Sequence, residues 1–328
     1  MSRTAARARQ TRAQTISPAK IITDAIIARL EQGVSPWRRT WVSNEPPITR
    51  PLRACGLAYK GINAIYLWTV AEQCGYVRAT WMTYAQATAF GGQVRKGERG
   101  TMAVFYKVYG ASGTDAATGD DTSSIRRVMR TYSVFNVDQI DNLPDRFTAV
   151  PAPRGAFDDS HRAGIDAFIA ATGATIVYGG NTACYIPRRD VIHLPHATAF
   201  DDYAAFGATA AHELSHWTAH PDRLDRDLQN RFGSDKYAAE ELIAEISACF
   251  LGADLGLPVS HLDNHASYID HWLGILRRDD RALLTAAAKA EEAASYLLRI
   301  TGRSTATADD PADTRAASDA GVPLAQAA

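Results

Sequence analysis

A chain of 328 residues, 46% hydrophobic and 22% charged, can bury a sizeable core and hold two domains. Its net charge of −1 conceals an asymmetry: residues 1–130 carry 19 Lys/Arg against 8 Asp/Glu, and residues 131–328 carry 16 against 28. The split argues against an acidic DNA mimic and suggests a nucleic-acid or membrane face on the first half. The four cysteines (Cys55, Cys74, Cys184, Cys249) form no Cys-x-x-Cys pair, which argues against a disulfide framework or a cysteine zinc cluster. No stretch has the length of a transmembrane helix, and the basic start has no apolar segment after it, so the expectation is a soluble cytoplasmic protein without a membrane partner.

Residues 1–16 are basic and polar and read as a disordered arm. Ser17-Pro18 then supplies an N-cap and first-turn proline, and Ile21, Ile22, Ala25, Ile26 and Leu30 form a helical stripe that Gly33 ends. Helices are predicted at 61–73 and 81–90, and strands at 101–109 and 130–137, with 110–125 either a hairpin excursion or a disordered loop. Prolines 144, 151 and 153 with Gly155 mark a domain boundary, so the first domain is placed at 17–145 and the second at 155–301. The second domain reads as helix 160–172, strand 175–178, strand 190–195, then helices at 203–219, 237–255, 261–278 and 280–301. From 302 to 328 the chain has no periodicity and reads as a disordered tail. The fold class is therefore α+β: an α+β first domain, then a mainly helical domain with a small sheet.

The chemistry centres on His212-Glu213-Leu214-Ser215-His216 in the alanine-rich helix. Residues i and i+4 share a helix face, so both imidazoles can reach one cation, and Glu213 is placed to act as general base. A third ligand is needed. Asp222 stands where the metzincin pattern has histidine, and His220 continues the i, i+4 series near the helix end. Better candidates lie in Glu240-Glu241-Leu242-Ile243-Ala244-Glu245, which resembles the gluzincin arrangement. That resemblance makes Glu241 the ligand and Glu245 the partner that orients a ligand histidine. The ion is expected to be Zn2+, or another divalent metal. DVIHLP (190–195) is similar to the edge strand along which zincins bind extended peptide. A group stabilising the transition state is left open among His265, Arg223 and Tyr237.

In the first half, four of the six tryptophans and several tyrosines interleave with basic residues. Aromatic faces stack on bases and Lys/Arg track phosphates, the pairing that single-stranded DNA binders use. The candidate contacts are Trp37, Arg38, Arg39, Trp41, Tyr59, Lys60, Asn63, Trp81, Tyr84, Arg95, Lys96, Arg99 and Lys107, with about half of the aromatics expected to be structural.

Over residues 17–300 the chain resembles the ArdC-type antirestriction proteins of conjugative plasmids. The matching segments include PWRRTW, LAYKGINAIYLW and WMTYAQATAFGGQVRKGERGTMAVFYK in the first half, and HELSHWTAHPDRLDRD and FGSDKYAAEELIAEISACFLGADLGL in the second. The resemblance implies a single-stranded-DNA-binding domain followed by a zincin-like metallopeptidase domain, and protection of incoming plasmid DNA from host restriction. Three readings stay open: a metallopeptidase acting on or capturing a host restriction or defence protein, a coat of single-stranded DNA with a structural metal, and a peptidase that cleaves a repressor.

Overall fold

The computed structural model describes residues 16–34, 49–114, 121–149, 157–227, 234–256 and 266–303. The arm expected over 1–16 and the tail expected over 302–328 fall almost wholly outside these ranges. Helix α1 (Pro18–Leu30) starts as expected, with the Ser17 hydroxyl accepting from Lys20 N at 3.1 Å, and buries Ile22, Ile26 and Leu30. A two-residue strand β1 (Leu52–Arg53) precedes helix α2 (Gly61–Cys74).

The third helix differs from the sequence reading. Trp81 and Met82 belong to strand β2 (Thr80–Met82), and α3 spans only Tyr84–Ala89. A capping box decides this: Thr83 Oγ1 accepts from Gln86 N at 3.2 Å, and Gln86 Oε1 accepts from Thr83 N at 2.9 Å. It starts the helix at Tyr84 and leaves Trp81 and Met82 extended, paired with Asn136 and Phe135.

After β3 (Gln93–Val94), strands β4 (Thr101–Thr114) and β5 (Asp121–Asn136) pair in continuous antiparallel register from Thr101↔Val134 to Thr114↔Asp121. The 110–125 segment is therefore the hairpin, with 115–120 outside the described residues. The sheet order is β1-β2-β5-β4, and β3 pairs with β6 (Ile140–Asp141). A short helix α4 (Asp145–Thr148) follows.

The second half contains α5 (Asp159–Ala171), β7 (Thr175–Tyr178), β8 (Cys184–Ile186), β9 (Val191–Leu194), α6 (Tyr203–Trp217), α7 (Asp235–Leu255), α8 (Ala266–Arg278) and α9 (Ala282–Ile300). Its three strands run in the order β7-β9-β8, with β7 parallel and β8 antiparallel to β9. DVIHLP thus forms the central strand rather than an edge. The edge on this side is β8, a three-residue strand too short to show a period in the sequence. Among the described residues no helix is long and apolar enough to cross a membrane.

The largest hydrophobic cluster joins the two halves of the chain. Ile22 and Ile26 of α1 and Ile65 and Trp68 of α2 share it with Phe250 of α7, Trp272 of α8 and Leu283 of α9. A polar lock reinforces the joint. Arg50, nearly fully buried, forks onto Asp254 at 3.0 and 2.8 Å, reaches Glu291 at 2.6 Å and lies 4.1 Å over the Phe250 ring. Glu291 also accepts from Gly61 N, the first residue of α2, at 2.9 Å. Arg50→Met leaves two carboxylates without their cation. It is expected to destabilise by about 2–4 kcal/mol, less than a fully buried pair because both acids keep some solvent. A urea midpoint within error of wild type would refute this.

Candidate metal centre and nucleic-acid face

Helix α6 begins at Asp202, whose carboxylate accepts from Ala205 N at 2.7 Å. Its small residues let neighbours approach closely: a Cβ on Gly207 would stand 2.8 Å from Ile165 Cδ1 of α5. Packed in this way, α6 turns one face wholly toward α7, and on that face lie His212 and His216. Their Nε2 atoms face each other at 3.1 Å. Glu241 of α7 closes the third side, with one carboxylate oxygen 3.5 Å from His212 Nε2 and the other 3.6 Å from His216 Nε2. Donor atoms about 2.0–2.1 Å from a tetrahedral cation stand roughly 3.3–3.4 Å apart. The observed edges match, and two imidazoles with one carboxylate are a donor set that suits such an ion, so these residues fit a divalent metal. Among the described residues these three form the group with this geometry.

Glu240, Glu241 and Glu245 are all buried, Glu245 completely, which removes the alternative that they are solvated surface carboxylates. Glu245 Oε2 faces His212 Nδ1 at 3.8 Å. Glu240 takes the corresponding place behind His216, its Oε1 3.3 Å from Nδ1. Burial alone would lower the His216 pKa, but hydrogen bonds and charge from Glu240 and Glu241 prevail and push it up to about 10. Burial likewise favours protonation of Glu241, yet both imidazoles hold it well below the usual carboxylate range. Imidazole and carboxylates thus stabilise one another's charged forms. His220 is not part of this group: the helix ends at Trp217, and His220 lies in the following turn with its Nδ1 3.6 Å from Asp222.

Glu213, on the same helix turn as the histidines, is buried on the side toward β8: burial first, and then its negative charge, push the Cys184 thiol up. Beyond Cys184, β8 has no strand on its outer edge among the described residues. Of the three groups left open as transition-state stabilisers, Arg223 is committed elsewhere. It donates to Asp190 and to Trp217 O and lies 3.8 Å over the Trp217 ring, tying the β8–β9 turn to the end of α6. Tyr237 lies beside Glu241, hydrogen-bonded with it and with Tyr268; burial first, and these neighbours next, hold its phenol protonated well above the usual range. His265 lies outside the described residues.

Sequence reasoning assigned no role to Glu240 or to Arg226. The Arg226 guanidinium is buried and forks onto Glu240 at 3.1 and 2.8 Å while donating to Ser215 O at 2.8 Å and Thr218 Oγ1 at 2.9 Å. The only trace in the sequence is the density of charge in HPDRLDRD, which does not distinguish this arginine from Arg223.

In the first half the candidate contacts separate by burial. Tyr59 and Trp81 are 3% and 1% exposed and belong to a core cluster with Leu67 and Val134, so neither ring can stack on a base. Their flat apolar faces serve the core between α2 and the sheet. Asn63 is also structural, exchanging hydrogen bonds of 2.7 and 2.8 Å with the backbone of Val104. Tyr84 is 53% exposed and meets Phe135 edge-on at 6.4 Å. Lys60, Arg95, Lys96 and Arg99 are exposed. Arg95 is held by Glu98 at 2.8 Å and by Asp138 O at 2.6 Å, so the 95–99 turn has a defined shape. Trp37, Arg38, Arg39 and Trp41, and the side chain of Lys107, lie outside the described residues.

Two imidazoles one helical turn apart, facing a carboxylate from the next helix, define the zincin-like class of site. A model of zincin-like metallopeptidases matches residues 163–289, and one of the N-terminal domain of anti-restriction factor ArdC matches 17–135. The chain belongs to the ArdC antirestriction family. It superposes on the metal-free crystal structure of the antirestriction ArdC protein from plasmid R388 with a TM-score of 0.74 at 40% identity, covering 89% of this chain and 100% of that one. The Mn(II)-bound structure of that protein gives 0.71 at 39%, covering 88% and 100%. Uncharacterized protein y4eC of Sinorhizobium fredii (strain NBRC 101917 / NGR234) is 39% identical over 281 residues, covering 84% of this chain and 90% of that protein. The DNA primase TraC of Escherichia coli is also 39% identical over 292 residues, but the chain spans only 26% of that primase.

Proposed function

We propose that this chain is a cytoplasmic protein that binds single-stranded DNA through its first half and carries a divalent-metal peptidase site in its second. Together these would protect incoming plasmid DNA from host restriction. The observation that carries the reading is the convergence of His212, His216 and Glu241 with the buried Glu213 on the same helix turn. A divalent ion there, zinc first and manganese as in the solved relative next, would supply Lewis-acid polarisation of a scissile carbonyl. Glu213 takes a proton from the attacking water and delivers it to the leaving amine. The open edge of β8 accepts an extended substrate strand by main-chain hydrogen bonds, bringing its carbonyl past Glu213. Tyr237 offers a hydroxyl donor beside Glu241. The substrate on this reading is a host restriction or defence protein.

On the DNA side, Tyr84 offers a base-stacking face and Lys96, Arg99 and Arg95 supply the phosphate contacts. Replacing those three basic residues together by glutamine is expected to flatten the salt dependence of oligonucleotide binding. Tyr84→Ala should weaken binding about tenfold or more at an unchanged salt slope. Trp81→Ala behaves differently: it removes a core ring and should cost about 3–5 kcal/mol of stability. Fluorescence anisotropy across a salt series checks the first two. Equal slopes for wild type and the triple variant would refute the assignment of the 95–99 turn.

A further inference from the structure

The geometry points to Arg226 and Glu240 as a positioning pair that fixes the orientation and tautomer of His216 and thereby sets the affinity of the site for its ion. This inference rests on the metal-site reading above and assigns a role to two residues which that reading leaves unused. The sequence of contacts is continuous. His216 Nε2 faces His212 and Glu241, while Nδ1 faces Glu240 Oε1 at 3.3 Å. Glu240 is in turn gripped by both edges of the Arg226 fork, at 3.1 and 2.8 Å. A carboxylate under a guanidinium can only accept, so the one proton that His216 keeps when it ligates an ion is held on Nδ1, which turns Nε2 toward the centre.

Arg226 also joins the two helices that carry the ligands. Its Nη2 donates to Ser215 O and its Nη1 to Thr218 Oγ1, on either side of His216 at the end of α6. The chain reaches this position by turning back on the helix end: Leu224 N bonds Thr218 O at 3.0 Å and Arg226 N bonds Ala219 O at 2.9 Å. Four guanidinium N–H donors are engaged, two on the end of α6 and two on Glu240. The latter two hold a carboxylate from α7 against an imidazole from α6, so the spacing of His216 and Glu241 is set across the same bridge.

The test uses the full chain and measures ion affinity rather than turnover. Zinc is titrated in competition with a chromophoric chelator, and cobalt(II) absorption reports the ligand field. Glu240→Gln and Arg226→Ala should each weaken zinc binding about 10- to 100-fold and alter the cobalt band. The double variant should be no weaker than the worse single, because both act through one imidazole. Glu240→Gln is nearly isosteric and retains Arg226, so it remains informative if Arg226→Ala does not fold. Unchanged zinc affinity in a folded Glu240→Gln protein, with only a lower melting temperature, would overturn the pair's role while leaving the metal site intact. Additive losses would overturn the shared route through His216. Zinc retained by a His212→Ala/His216→Ala control would instead overturn the site itself.

Discussion

Replacing His212 and His216 together with alanine is expected to leave the purified protein without its divalent ion, where wild type carries about one per chain. Both imidazole donors leave at once, and Glu241 alone offers no chelate. The loss should exceed the 10- to 100-fold typical of an outer partner. Glu241→Ala should weaken binding far more than Glu240→Ala, because Glu241 faces both Nε2 atoms whereas Glu240 faces the far side of one ring. Elemental analysis of dialysed protein gives the ion content, and a thermal melt gives a second readout. An ion at 100 times its dissociation constant stabilises wild type by about 2.7 kcal/mol, and the double variant should gain nothing from the same addition. Stoichiometric metal in the double variant, or equal effects at Glu240 and Glu241, would sink the ligand assignment.

Glu213→Gln is expected to separate hydrolysis from coating. The residue is buried on the ligand helix yet is not among the three groups that converge, so zinc content, folding and oligonucleotide affinity should stay near wild type. An amide cannot take the proton that Glu213 takes, and general-base loss is typically worth on the order of 10²–10⁴ in rate. If protection of incoming DNA in a conjugation assay depends on hydrolysis, it should collapse in this variant although the first half is unaltered. Substitutions at the 95–99 turn should reduce protection through DNA affinity instead. Full protection by well-folded Glu213→Gln would establish the coat with a structural metal as the correct reading.

Helices with strong end signals are legible in the sequence because those signals lie within a few residues of each end. Ser17-Pro18 capped α1, and Gly256 ended α7 with a φ of 68°. The helix predicted at 81–90 failed for the same kind of reason. Thr83 and Gln86 form a capping box inside the apolar run, and periodicity over so short a window did not weigh it against β pairing. Strand β8 carries no period in three residues, so the sequence offers as an edge only DVIHLP, through its likeness to the zincin edge strand.

The sequence by itself determined what a single helix can express: that His212 and His216 share a face, that Glu213 rides between them, and that acidic residues recur on the helix that follows. These depend on the 3.6-residue repeat alone. Which carboxylate meets which imidazole was decided only by tertiary structure, since it depends on the relative rotation and height of α6 and α7. That packing set Glu241 at the centre, Glu245 behind His212 and Glu240 under Arg226 behind His216. The same holds for the aromatics. A stacking platform and a core both call for a flat apolar ring, so composition could not separate exposed Tyr84 from buried Trp81 and Tyr59. Burial against α2 did so, because removal from water is a property of the assembled layers and is not written in any one segment.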